Sequence, residues 1–172
     1  MSQTIASGRL TLRPVVAGDG DWLAALLDTA DVRDALCDGL PAGRCAAGLI
    51  AASLDPASLT VVWRLATHAG GLAGFVGVRA PSTASLRLRA IGWRSLELSV
   101  ALEPAWRGQG LATEALLAVA EWLRGDPVIF ALVAVVAGDN ERANALMRRC
   151  NFHVLGDAGS AAGDSRVYEL PL

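Results

Sequence analysis

The sequence predicts a mixed α/β fold of the α+β type, and three observations along the chain support this class. Polar and apolar residues alternate over residues 9–14 and stop at a proline, which is typical of a strand. Residues 69–71, Ala-Gly-Gly, separate two strand-like runs and predict the turn of a hairpin. Elsewhere apolar side chains recur at the spacing of one helix face, as at Leu116, Val119, Ala120 and Leu123.

The predicted elements follow the order strand, two helices, three strands, helix, strand, helix and two strands. The strands are expected at residues 9–14, 60–68, 72–79, 96–102, 128–137, 152–156 and 165–170. Residues 81–95 fit either an extra strand or the extension of a neighbouring strand. No internal repeat or linker interrupts this order.

Helix boundaries are predicted from capping residues. Asp19 or Asp21 is expected to cap a first helix that carries Leu23, Leu26 and Leu27, and a second helix spans about residues 42–54. Asn140 is expected to cap the last helix, and Asn151 stands where a left-handed residue ends it. The apolar face of that last helix consists of Ala143, Leu146, Met147 and Cys150.

Length and composition indicate a single globular domain over residues 1–172, with 53% apolar and 19% charged residues. The net charge of −2 without a basic run argues against a nucleic-acid surface. Residues 1–10 lack the apolar core of a signal peptide, and no apolar run is long enough to span a membrane. Cys37, Cys45 and Cys150 lack C-x-x-C spacing, which favours reduced thiols in a cytoplasmic protein.

Residues 106–114, Trp-Arg-Gly-Gln-Gly-Leu-Ala-Thr-Glu, lie between a predicted strand and a predicted helix. This arrangement binds phosphate, because glycine permits close approach and the first N–H groups of a helix lack internal partners. The segment is not a Walker-type loop, and Thr113 replaces the third glycine of Gly-x-Gly-x-x-Gly. The alternative interpretation is a tight turn with glycine at a helix start.

Three segments together resemble the GNAT superfamily of N-acetyltransferases. Arg107, Gly110 and Ala112 give the pattern Arg-x-x-Gly-x-Ala, which is similar to the family's acetyl-CoA loop. Residues 140–152 are similar to the segment that follows the family's fifth strand. The opening residues 9–14, Arg-Leu-Thr-Leu-Arg-Pro, resemble the Rim-type branch, whose best-known members acetylate N-termini of ribosomal proteins. The resemblance implies a central mixed, mostly antiparallel seven-stranded sheet, splayed between its fourth and fifth strands and flanked by about four helices.

The resemblance also implies acetyl-CoA as cosubstrate, without a metal. In the family, loop amides hold the pyrophosphate, and the pantetheine arm lies along the fourth strand. The positions of this chain that match cofactor contacts are Val100, Leu102, Arg107, Gly108, Gln109, Gly110, Leu111, Ala112, Thr113, Asn140, Ala143 and Met147. A backbone N–H near Val100 would be the oxyanion donor. His68 and His153 are isolated in the sequence and do not predict a metal site.

Glu97 is the candidate general base, because it matches the recurrent strand-four glutamate of the Rim-type branch. The alternative interpretation of Glu97 is a solvated strand position, and Glu103 is interpreted as structural or solvated. Many family members carry a tyrosine that protonates the leaving thiolate, and this chain has Met147 there. Tyr168 is interpreted as a packing residue, so the general acid is unassigned.

The acceptor side is less specified by sequence. Asp31, Asp34 and Asp38 fall near one face of a helix or turn that lines the acceptor site in the family. They either attract a cationic amine or form a solvated helix face. Trp93 and Trp106 either wall the acceptor pocket or pack against the core.

These expectations describe an acyltransferase that moves an acetyl group from acetyl-CoA to a primary amine. An α-amino group is preferred, on a protein N-terminus or a small amine. The alternative is a catalytically degenerate acyl-CoA-binding module. Neither a nucleic acid nor a membrane is an expected partner, and the protein is either a monomer or a homodimer.

Overall fold

The computed structural model describes residues 3–37, 39–82, 95–157 and 164–172. The strands are β1 (Ile5–Ala6), β2 (Leu10–Pro14), β3 (Val61–Thr67), β4 (Leu72–Arg79), β5 (Ser95–Leu102), β6 (Ala131–Ala137), β7 (His153–Asp157) and β8 (Ser165–Pro171). The helices are α1 (Gly20–Leu27), α2 (Ala30–Leu36), α3 (Ala42–Leu54), α4 (Leu111–Leu123) and α5 (Glu141–Arg149). The short strand β1 and the helix α2 add to the seven strands and about four helices that were predicted. The prediction for residues 81–95 lies mostly outside the described ranges.

The eight strands within the described ranges follow the order β1-β2-β3-β4-β5-β6-β8-β7 in the sheet. Among the described pairings, β5 with β6 is parallel and the others are antiparallel. The parallel pairs run from Ser95 with Ala131 to Glu97 with Val133. Parallel neighbouring strands need a crossover connection, and α4, which lies between β5 and β6 in the chain, provides it. The prediction of a mixed, mostly antiparallel sheet with flanking helices is confirmed.

The chain divides into two compact units, each built from two segments. The first unit consists of Met1–Val78 with Ser99–Ala115, and the second of Arg79–Leu98 with Leu116–Leu172. Both β5 and α4 therefore contribute one part to each unit. A single domain over residues 1–172 stays a prediction.

The core of the first unit lies between its helices and the strands β3 and β4. Leu23, Leu26 and Leu27 are fully buried, which confirms the apolar face predicted for the first helix. Buried members from other elements of the cluster include Val15, Val32, Cys37, Cys45, Ala46, Ile50, Val62, Phe75 and Ala101. Burying side chains of this size stabilises the fold by about 1.5–3 kcal/mol each.

The predicted capping role of Asp19 is wrong. Asp19 stands directly before α1, but its side chain makes no capping hydrogen bond to that helix. Its carboxylate instead accepts from the backbone N–H of Val16 at 2.8 Å and from Arg64 Nη1 at 2.8 Å. The Asp19 carboxylate therefore binds the Arg64 guanidinium instead of an N–H group of α1. Asp21 lies inside the first turn of α1 and is not the cap either.

The second unit contains β6 paired with β8 along its whole length, from Ala131 with Pro171 to Ala137 with Ser165. Val133 and Val167 are fully buried, and the partly buried Val135 and Leu155 pack against them. In α5, Leu146, Met147 and Cys150 are buried, as the helical spacing predicted. Asn151 has φ of 61°, which confirms the predicted left-handed residue at the end of that helix.

The strand predicted at residues 128–137 begins three residues later than expected. Asp126 forms a turn, in which its Oδ1 accepts from Val128 N at 2.9 Å and its carbonyl accepts from Ile129 N at 3.3 Å. Val128 and Phe130 are half-exposed rather than buried. These apolar side chains led to the prediction of a buried strand. The residues form a turn instead, because Asp126 and Pro127 favour turn conformations.

Cys37, Cys45 and Cys150 are buried, and no disulfide joins any of the three. Within the described ranges, none of the helices has the length and apolar character needed to cross a membrane.

Candidate active site

The loop between β5 and α4 has the backbone that its two glycines permit. Pro104–Trp106 forms a single 3-10 turn, after which Arg107 is extended. Gly108 and Gly110 have φ of 76° and 77°. Residues with a Cβ adopt such values only at a cost in conformational free energy. The helix α4 begins at Leu111, directly after the second glycine. The predicted succession of strand, glycine-rich turn and helix is confirmed.

This loop exposes the groups that an anion requires. Gly108, Gln109 and Gly110 are exposed to solvent, whereas Leu111 is buried and anchors the start of α4. The first N–H groups of a helix have no i−4 carbonyl partner, and the helix dipole adds positive potential there. The geometry therefore suits a phosphate or pyrophosphate group.

Arg107 connects the loop to two other elements. Its Nε donates to the carbonyl of Leu102 at 2.9 Å, and its Nη1 donates to Asp31 Oδ2 at 2.7 Å. Its guanidinium therefore joins the end of β5 to the first turn of α2. Of the predicted acidic cluster, Asp31 is engaged in this ion pair, Asp34 is exposed, and Asp38 lies outside the described ranges.

Glu114, in the first turn of α4, is held by the segment between β1 and β2. Its Oε1 accepts from the backbone N–H of Arg9 at 2.6 Å and from Ser7 Oγ at 2.7 Å, and its Oε2 accepts from Arg9 Nε at 2.7 Å. Burial raises the pKa of Glu114, but these hydrogen bonds and the Arg9 charge outweigh burial, and the pKa lies below its usual value. Sequence analysis missed this contact, because no local pattern joins residues so far apart.

Val100 and Leu102 lie in the part of β5 that belongs to the first unit. Val100 is half-buried and Leu102 is buried, and Glu103 N donates to the carbonyl of Ala73 in β4 at 2.9 Å. A Cβ on Gly74 would lie 2.1 Å from the carbonyl oxygen of Ala101, so only glycine allows this approach. The sequence alone could have indicated this close approach, because a glycine inside a strand pattern often marks a place where another backbone comes near.

Trp106 is a packing residue in this arrangement. Its ring covers the turn between β3 and β4, where a Cβ on Gly71 would lie 2.5 Å from Trp106 Cζ2. The packing interpretation of Trp106 is therefore supported. Trp93 lies outside the described ranges.

Glu97 lies in the second unit, in the part of β5 that pairs with β6. It is 6% exposed, so the alternative of a solvated strand position is wrong. Its Oε1 accepts from Arg79 Nη2 at 2.7 Å and from Arg79 Nε at 3.2 Å. Its Oε2 accepts from the backbone N–H of Ser82 at 2.8 Å. Glu97 thus ties the end of β4 to β5, and its role as a base stays a prediction.

Asn140 caps α5 as predicted, because its Oδ1 accepts from Ala143 N at 3.0 Å. Ala143 is half-buried, while Met147 is 2% exposed and lies in the core. Asn144, which sequence analysis missed, is buried beside this cap and donates to the carbonyls of Ala137 at 3.0 Å and Asn140 at 2.8 Å. These contacts fix the connection between β6 and α5.

The predicted site residues thus fall into two groups. Val100, Leu102 and residues 107–113 belong to the first unit, and Glu97, Asn140, Ala143 and Met147 belong to the second. Within each group the contacts above hold the backbone in place. In the part of the chain that the structure describes, no group of three or more His, Cys, Asp or Glu side chains could hold a metal.

Comparison with known proteins identifies the family. The sequence model described as "Acetyltransferase (GNAT) domain" matches residues 9–153, which is most of the chain. Comparison with curated protein sequences gives no match.

Solved structures share the fold at low sequence identity. RimL, a ribosomal L7/L12 alpha-N-protein acetyltransferase in complex with coenzyme A, has a TM-score of 0.77 at 18% identity, over 99% of this chain and 98% of that chain. The aminoglycoside acetyltransferase AAC(6')-Ib in complex with coenzyme A has a TM-score of 0.78 at 16% identity, over 94% of each chain. Spermidine N-acetyltransferase from Vibrio cholerae, in complex with CoA and spermine, has a TM-score of 0.75 at 16% identity, over 95% of each chain. With its fold and the family match in agreement, this chain belongs to the GNAT family of acetyltransferases.

Proposed function

We propose that this protein is an N-acetyltransferase that moves the acetyl group of acetyl-CoA to a primary amine, with an α-amino group preferred. The observation that carries the proposal is the loop of residues 107–113, where Gly108 and Gly110 adopt positive φ immediately before α4. In this proposal an anion meets the first N–H groups of α4 at this loop. The CoA complexes among structures of the same fold support CoA as the anion's source.

In this proposal the loop binds the pyrophosphate through its backbone. The proposed donors are the N–H groups of Gly108, Gln109, Gly110, Leu111, Ala112 and Thr113. Arg107 contributes by bracing, because its guanidinium is occupied by Leu102 and Asp31. Neutral N–H donors fixed before the ligand arrives lose little entropy on binding, which favours affinity.

The remaining cofactor roles are proposed on the family pattern. The backbone groups of Val100 and Leu102 would pair with the pantetheine arm, and the N–H near Val100 would stabilise the oxyanion of the tetrahedral intermediate. Asn140 and Ala143 would contact CoA near the start of α5. Met147 is buried, so its proposed contribution is packing beneath that surface.

Glu97 remains the proposed base, in competition with a structural role. Its carboxylate is buried and close to Arg79, so replacing it also breaks an ion pair. Two variants separate the roles. If Glu97 moves protons, Glu97→Gln lowers turnover by roughly 10²–10⁴ while Arg79→Met, which keeps the carboxylate, lowers it far less. If Glu97 only anchors β4 to β5, both variants lose activity and stability together.

An α-amino group is the proposed acceptor because its proton is easier to remove. At pH 7 the neutral form costs about 1 kcal/mol for an α-amine with a pKa near 8, and about 4.6 kcal/mol for a lysine side chain. A site with one candidate base and no assigned general acid suits the α-amine, whose proton is the easier of the two to remove. The acceptor is then either a protein N-terminus or a small amine.

An acceptor screen tests the proposal. Free thiol released from acetyl-CoA is measured against a panel of small amines and peptides with free N-termini. Thiol release that depends on an amine supports an N-acetyltransferase. Binding of CoA without release for any amine would favour the catalytically degenerate acyl-CoA-binding module, and no CoA binding would contradict both.

A further inference from the structure

We propose that Arg9, held in place by Glu114, is a positioning residue that orients the peptide between Gln109 and Gly110 in the CoA loop. This inference rests on the proposed function, because it assigns a task to the loop that would bind the pyrophosphate. It adds two residues that neither the loop motif nor the proposed catalytic roles include.

The first observation is that the Arg9 guanidinium connects the loop to the helix α4. Arg9 Nη1 donates to the carbonyl of Gln109 at 2.9 Å, while its Nε donates to Glu114 Oε2 at 2.7 Å. The same carboxylate also accepts from the backbone N–H of Arg9 at 2.6 Å and from Ser7 at 2.7 Å. Glu114 therefore fixes both the main chain and the side chain of Arg9.

The second observation is the geometry of the peptide that Arg9 contacts. The peptide between Gln109 and Gly110 is trans, so its C=O and N–H point in opposite directions. When Arg9 holds the carbonyl of Gln109, the N–H of Gly110 therefore points in the opposite direction within the peptide plane, away from Arg9. Arg9 thereby sets the direction of a proposed phosphate donor without touching the phosphate.

Local backbone preference would not set this direction. Gly108 and Gly110 both have positive φ, and glycine populates positive and negative φ about equally. Rotating the peptide between Gln109 and Gly110 changes φ of Gly110 and ψ of Gln109, and the glycine allows its part of that rotation at little cost. A contact from outside the loop is therefore needed to keep the donor pointing at the ligand, and Arg9 supplies it.

A direct contact between Arg9 and phosphate is the competing role. Arg9 is half-exposed, and its Nη2 lies 3.6 Å from the position a Cβ would take on Gly110. The two roles predict opposite effects for Glu114→Gln. Loss of a neighbouring negative charge would strengthen a direct phosphate contact, whereas loss of the carboxylate that holds Arg9 would weaken a positioned loop.

The experiment is calorimetric titration of the full chain with CoA. We expect Arg9→Gln to weaken CoA binding about tenfold and Glu114→Gln to weaken it about three- to tenfold, in line with charge-assisted hydrogen bonds. Arg13→Gln removes an exposed arginine from β2, the strand that follows Arg9, and is expected to stay within about twofold of wild type. Thermal denaturation without CoA establishes that each variant is folded at the titration temperature.

Arg9→Lys keeps the test sharp if Arg9→Gln is unfolded. Lysine retains the charge but lacks the planar fork that reaches Glu114 and Gln109 together, so binding is expected to stay weak. Wild-type affinity in Arg9→Lys, or equal or tighter binding in Glu114→Gln, would overturn the positioning role. If wild type fails to bind CoA, the proposed function itself is wrong, whereas CoA binding equal in wild type and Arg9→Gln refutes this inference alone.

Discussion

The phenol of Tyr168 donates to Asn144 Oδ1 at 2.7 Å, and both side chains are almost fully buried in the second unit. Asn144 in turn donates to the carbonyls of Ala137 and Asn140, which begin the turn into α5. Tyr168 was interpreted from sequence as a packing residue, and the structure shows that its hydroxyl also makes a buried hydrogen bond. The last strand thus supports the helix cap of α5 through one buried amide.

Tyr168→Phe is predicted to lower the free energy of unfolding by about 1–3 kcal/mol, because Asn144 Oδ1 would lose its donor while it stays buried. Urea denaturation at pH 7 measures the change. The ring and its packing are preserved in phenylalanine, so a loss below about 0.5 kcal/mol would mean that the hydrogen bond adds nothing.

The ion pair between Arg107 and Asp31 is predicted to be a weak contributor on its own. The Asp31 side chain is 57% exposed, and solvent screens such pairs to about 0.2–1 kcal/mol. Arg107→Met should cost more than Asp31→Asn, because it also removes the donor to the Leu102 carbonyl. A double-mutant cycle on unfolding free energy checks this, and a coupling above about 2 kcal/mol would show that screening was overestimated.

Acid should remove stability that Glu114 provides. Burial raises the pKa of Glu114, but the hydrogen bonds from Ser7 and Arg9 and the Arg9 charge hold that pKa below its usual value in the folded protein. This contribution is therefore complete above pH of about 4.5 and is lost as the pH falls through the folded-state pKa. Glu114→Gln should lose less unfolding free energy than wild type between pH 6 and pH 3.

The control for this pH experiment is Glu121→Gln, which changes a largely exposed carboxylate on the same helix. Its pH profile is expected to follow that of wild type. Identical acid sensitivity in wild type and Glu114→Gln would show that Glu114 is not a source of the loss.

Local patterns predicted most of the fold. The Ala-Gly-Gly turn located the hairpin of β3 and β4, and helical spacing located the buried face of α1 and α5. Capping chemistry placed Asn140 and the left-handed Asn151, because both depend on residues a few positions apart. The same patterns failed at Val128, where a turn after Asp126 outweighed an apolar run.

Long-range polar contacts could not be predicted in the same way. Arg9 and Glu114 are 105 positions apart, and only the folded topology brings them together. Glu97 looked like either a base or a solvated residue, because its partner Arg79 lies on another strand. The loop backbone was therefore predictable from its glycines, whereas the side chains that hold it were not.

Acceptor preference is predicted to favour α-amines over lysine side chains near neutral pH. A peptide with a free N-terminus and one internal lysine is incubated with enzyme and acetyl-CoA, then digested and weighed by mass spectrometry. Acetylation should occur mainly at the N-terminus at pH 7, and the preference should narrow toward pH 10 as lysine becomes neutral. Acetyl groups found mostly on lysine at pH 7 would contradict the preference.

The most direct measurement of the central claim is calorimetric titration with CoA of wild type, Gly110→Ala and Gly39→Ala. Gly110 and Gly39 have φ of 77° and 78°, and a Cβ on either meets no atom closer than ordinary contact distance. Both variants therefore carry the same backbone strain of about 1–2 kcal/mol, but only Gly110 lies in the proposed pyrophosphate loop. We expect wild type and Gly39→Ala to bind CoA within about twofold of each other, and Gly110→Ala to bind about tenfold more weakly. Equal affinity in all three proteins, or no CoA binding by wild type, would contradict the account.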